Sequence, residues 1–83
     1  MKLTVKYFAS IREAIGQASE AIETSAGTLA ALRDELAARG GGYSAALARG
    51  KPVRAALNQV MSADSTLLVE GCEVGFFPPV TGG

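Results

Sequence analysis

One segment of this 83-residue chain is long and periodic enough to make a packing helix: TLAALRDELAARG, Thr28 to Gly40. Leu29, Leu32 and Leu36 recur at i, i+3 and i+7 and draw one apolar stripe. Alanines supply helix propensity, Thr28 is an N-cap, Gly40 is a stop, and Glu35 stands four residues before Arg39, where the two can pair.

The segments around that helix read as short strands. In KLTVKYF, Leu3, Val5 and Tyr7 alternate with Lys2, Thr4 and Lys6, which predicts a half-buried strand and leaves Phe8 on the polar face. Ser10 and Glu13 then have the spacing of a capping box for a short helical turn, which Gly16 ends. SEAIET predicts a second strand pairing back on the first. After the main helix, GGGYS reads as a loop, with a further helical turn over Ser44 to Arg49. VRAAL (53–57) is a strand, Asn58-Gln59 a turn and Val60-Met61 the return. Leu67 to Val69 lead to a turn at Gly71, and EVGFF (73–77) is the last strand. With first and last strands parallel neighbours, the order predicts an α+β fold. With that pairing it would be a β-grasp (ubiquitin-like) roll, a mixed sheet with one main helix packed across one face, though other small α+β folds share the order. Residues 1–77 form the domain and 78–83 an extended tail.

Composition removes several classes of function. Eight basic and eight acidic residues cancel, so there is no charge excess to hold nucleic acid or an anionic membrane. The apolar runs are too short to span a bilayer, and Lys6 interrupts what a signal peptide would need. One cysteine, Cys72, cannot form an internal disulfide, and the chain lacks histidine. Zinc sites and Cys–His nucleophile pairs are thereby excluded. ARGKP fails as a phosphate loop, because Ala45 and Pro52 replace its first glycine and its Ser/Thr. The expectation is a cytoplasmic domain without a catalytic apparatus, metal or cofactor of its own.

The ending FFPPVTGG carries the chemistry. If Val74 and Phe76 face the helix, Phe77 points outward, as does Phe8 by the same parity, with Met61 on a neighbouring edge. Outward aromatics side by side predict a partner surface. Pro78 and Pro79 end the strand and hold the chain in polyproline II geometry. From Pro78 through Val80 and Thr81 to Gly83 the chain can reach about 20 Å. Gly82 and Gly83 fit a channel too narrow for side chains. What arrives there is the Gly83 carboxylate, inert until ATP converts it to an acyl adenylate open to a sulfur or nitrogen nucleophile.

On FFPPVTGG, YFASIRE, TLAALRDELA and the Asn58-Gln59 pair, the chain resembles, along its whole length, the MoaD-type family of sulfur-carrier proteins, small subunits of molybdopterin synthase. The resemblance implies a β-grasp fold and a C-terminal glycine, here Gly83, adenylated by an E1-like (MoeB-type) enzyme that uses ATP and magnesium. A persulfide donor then gives a thiocarboxylate. The tail Pro78–Gly83 would enter a large (MoaE-type) subunit, where two carriers in succession supply sulfur to cyclic pyranopterin monophosphate in a heterotetramer. Phe8, Met61 and Phe77 match the family's partner-binding patch. Cys72 departs from the family pattern, standing where an aspartate is expected. Three other readings stay open at this point: a thiamine-type sulfur carrier, a ubiquitin-like modifier of lysines, and a non-catalytic interaction domain with a proline-rich docking tail.

Overall fold

In the computed structural model, which describes residues 1–79, strand β1 (Lys2–Tyr7) buries Leu3, Val5 and Tyr7 and turns Lys2, Thr4 and Lys6 away. Strand β2 (Ser19–Glu23) pairs antiparallel with β1 and adds Ile22 to the same core face. Strand β5 (Glu73–Phe77) lies on the other side of β1, parallel to it, and buries Val74 and Phe76. Strands β3 (Arg54–Leu57) and β4 (Val60–Met61) complete the order β2-β1-β5-β3-β4. This is the mixed sheet of a β-grasp fold, with β5 at its centre.

Helix α2 (Leu29–Ala37) packs Leu29, Leu32 and Leu36 onto that sheet, all essentially without solvent access. Thr28 caps it, its Oγ1 accepting from the Ala31 N–H at 3.1 Å. The next two N–H groups of the first turn are met by the loop before β5: Leu29 donates to the Thr66 carbonyl and Ala30 to that of Asp64. This loop also bridges Thr28 to Leu67.

Four local expectations are corrected. Helix α1 (Ala9–Ile15) has Phe8 as its N-cap with no side-chain cap bond, so Ser10 lies inside the first turn and forms no capping box with Glu13. Gly16 does end α1, at φ 92 with its N–H on the Arg12 carbonyl. Glu35 does not pair with Arg39, because each has a better partner across the fold. Thr24 Oγ1 donates to Glu35, and Arg39 reaches Glu20 at 2.9 Å. Helix α2 closes on Ala38 rather than Gly40. The glycine triplet is no loop either, since it starts helix α3 (Gly41–Leu47). Gly40 and Gly41 supply positive φ angles of 78 and 54. Gly42 lets α3 lie against α1, where a Cβ would stand 1.9 Å from the Ala14 carbonyl oxygen. Three-dimensional contact, not local propensity, places glycine there.

Two polar clusters tie the layers. Glu20 on β2 accepts from Tyr7 and Tyr43 hydroxyls at 2.8 and 2.7 Å, Gln17 Nε2 at 3.0 Å and Arg39 Nη1 at 2.9 Å. It joins β1, β2, α3 and the end of α2. Burial alone would raise its pKa, but the donors Tyr43, Arg39 and Tyr7 prevail and hold the carboxyl below its ordinary range. Burial, and then the Glu20 carboxylate, push the Tyr7 phenol far up. Arg33, buried on α2, donates from Nε to the Leu47 carbonyl and from Nη2 to those of Ala48 and Lys51. It thereby fixes the turn that leads from α3 to β3.

Candidate functional site

The site grows from the parity of three strands. On the sheet face away from the helices, β1 presents Lys6 and runs into Phe8, β5 presents Glu73, Gly75 and Phe77, and β3 presents Arg54 and Ala56. The register sets Lys6 beside Gly75, Ala56 between Gly75 and Met61, and Arg54 opposite Phe77. The three sequence-predicted residues Phe8, Met61 and Phe77 come together here, around one recess of about 220 Å³. Phe8 and Met61 are 45% and 49% exposed, so their apolar area faces water. The Phe8 and Phe77 rings meet edge to face, with centroids 6.0 Å apart at 83°.

Sequence reasoning missed the floor of this recess. Gly75 and Ala56 form it, both buried, Gly75 under the Phe8 ring. A methyl at Gly75 would lie 3.1 Å from Phe8 Cε2. A glycine within a strand marks just such a close approach, so Gly75 inside EVGFF was the available signal. Gln59 and Glu73 close one end. That end is held by Asn58, whose N–H donates to the Glu73 carbonyl at 2.8 Å while its Oδ1 accepts from the Glu73 N–H at 2.9 Å. Asn58 and Gln59 have φ angles of 49 and 69, a two-residue turn with both centres left-handed, and asparagine tolerates that region well. Lys6 Nζ stands 3.4 Å from Glu73.

At the end of β5 the chain passes into Pro78 and Pro79, both half-buried. Pro78 borders a second groove of about 240 Å³ between Ser10, Ile11 and Ala14 of α1, Ala45 and Ala46 of α3, and Lys51 and Pro52. The root of the tail thus lies beside the helical layer and the turn that Arg33 fixes. Val80, Thr81, Gly82 and Gly83, also named from the sequence, lie outside the described residues. Cys72 is buried just before β5, with a free thiol. Among the described residues no three His, Cys, Asp or Glu side chains cluster to hold a metal ion, and no helix is long and apolar enough to cross a membrane.

The profile of the ThiS family matches residues 5–83. A molybdopterin synthase sulfur carrier subunit from Escherichia coli is 40% identical over 81 residues, which is 98% of this chain and 99% of the relative. In a solved protein–protein complex of subunits 1 and 2 of the molybdopterin-converting factor from Helicobacter pylori, the matching chain superposes with a TM-score of 0.70 at 27% identity, each chain fully covered. Small archaeal modifier protein 1 from Haloferax volcanii, 22% identical with 95% and 98% of the two chains covered, shares the fold at a TM-score of 0.68. The chain belongs to the ThiS family and is similar over nearly its full length to the sulfur carrier subunits of molybdopterin synthase.

Proposed function

We propose that this protein is the sulfur carrier of a molybdopterin synthase, working in the cytoplasm and catalysing nothing alone. The observation that carries the reading is the junction of recess and tail. Phe8, Met61 and Phe77 meet on one face, and the strand that bears Phe77 continues directly into Pro78-Pro79. A partner that grips the recess is thereby aligned with whatever the tail delivers. Kinship with synthase carrier subunits supplies the chemistry.

In this reading the β-grasp body is a handle and Gly83 the reactive end. A Gly83 carboxylate oxygen attacks the α-phosphorus of ATP, held with magnesium by an E1-like enzyme, and pyrophosphate leaves. The terminal sulfur of a persulfide donor then attacks the acyl carbon, and AMP departs with that oxygen. A thiol cleaves the resulting S–S bond and frees the thiocarboxylate. Within a large synthase subunit the Pro78–Gly83 tail brings this sulfur to cyclic pyranopterin monophosphate, and a second carrier delivers the second. The carrier's own contribution is positional: it docks through Phe8, Met61 and Phe77, stiffens the root of the tail with Pro78 and Pro79, and presents no side chain at Gly82 and Gly83.

The test is complementation of an Escherichia coli strain that lacks its own carrier subunit. The chain is expected to restore molybdoenzyme activity, and a variant extended by one alanine after Gly83 to restore none while remaining folded. Equal rescue by the extended variant would contradict the role of the Gly83 carboxylate.

A further inference from the structure

On the outer sheet face Lys6 lies 3.4 Å from Glu73, and Glu23, opposite Lys2 in the β1–β2 ladder, lies 3.8 Å from the amino group of Met1. Arg54 is exposed and has no ion pair among the described residues. Its position on β3 sets it directly opposite Phe77, at the tail end of the recess. Facing pairs in a ladder carry their Cβ atoms about 5 Å apart on one side of the sheet. An unmatched cation therefore borders the aromatic wall.

The recess itself is concave because its floor is Gly75 and Ala56. A flat patch would need only apolar area from a partner, whereas a pocket of about 220 Å³ with aromatic walls admits a side chain. Resting on the reading above that a protein partner docks on this face, we propose what that partner must present: one large apolar side chain that enters over Gly75, and beside it an acidic residue that pairs with Arg54. The apolar anchor supplies affinity from a desolvated pocket, and the carboxylate supplies orientation and association rate. Because Arg54 stands opposite Phe77 on the strand that leads to Pro78, the pair fixes how that end of β5 is oriented on the partner.

The test measures Kd between this chain and the large synthase subunit of the same cell, at 50 mM and 500 mM salt, with melting temperatures as the control for folding. Gly75→Leu fills the recess and is expected to weaken binding at both salts. Arg54→Glu is expected to weaken it about tenfold at low salt, with the loss shrinking at high salt as the charges are screened. Arg54→Lys should stay near wild type, and one acid-to-arginine change on the partner should rescue Arg54→Glu. Wild-type binding by Arg54→Glu or by Gly75→Leu, while Phe8→Ala loses affinity, would overturn this inference and leave the docking face standing. Wild-type binding by Phe8→Ala as well would instead overturn the docking reading beneath it.

Discussion

At the scale of single residues, Glu20 and Gly42 bear loads that their neighbours in sequence do not announce. Glu20 accepts four hydrogen bonds, and its pKa lies below the ordinary glutamate value of 4.5. A carboxyl depressed by folding stabilises the fold above its unfolded pKa and loses that contribution as pH falls through the folded value. Thermal stability should therefore decline as pH drops below about 4.5, and Glu20→Gln should flatten that decline while lowering stability at pH 7. Melting curves between pH 3 and 7 check both; an unchanged acid limb would contradict the role given to Glu20. Gly42→Ala should cost at least ~2 kcal/mol in urea unfolding, because its methyl meets the α1 backbone and not a side chain that can swing aside. Gly27, where a Cβ meets open space and φ is not positive, is the matched control and should change little on substitution by alanine.

At the scale of elements, legibility followed the locality of the cause. The alternation of β1, the leucine stripe of α2, the Asn58-Gln59 turn and the outward parity of Phe8 and Phe77 are set by neighbours within a few residues, and all were readable. The glycine start of α3, the partners of Glu35 and Arg39, and the Gly75 seat of Phe8 depend on contacts between distant segments, so local spacing misassigned the first two and passed over the third. Arg33 belongs to the same class. In sequence it is one more charge on an amphipathic helix, yet in the fold it is buried and donates to three carbonyls at and just after the end of α3. Arg33→Met should keep the α2 packing but orphan the Leu47 and Lys51 carbonyls, that of Ala48 keeping the Lys51 N–H, at a cost of about 2–4 kcal/mol. Hydrogen exchange should localise the loosening to residues 47–53; uniform exchange across the sheet would show a general loss of packing instead.

At the scale of the molecule, two layers converge on the exit of one central strand. A groove between the helices and the Arg33-held turn borders Pro78 on one side, and the recess of Phe8, Met61 and Phe77 opens on the other. Such a body suits a protein whose chemistry is carried on its end and performed inside others. The fold does not choose among sulfur delivery, lysine modification and simple docking, since a β-grasp scaffold accommodates each. The kinship with synthase carrier subunits favours sulfur. The direct measurement is the intact mass of the purified chain after incubation with ATP, magnesium, an E1-like adenylating enzyme and a sulfur donor. The account predicts a gain equal to one oxygen-to-sulfur exchange, confined to the C-terminal peptide and lost when Gly83 is deleted. An unchanged mass with an enzyme proven active on another carrier would contradict it.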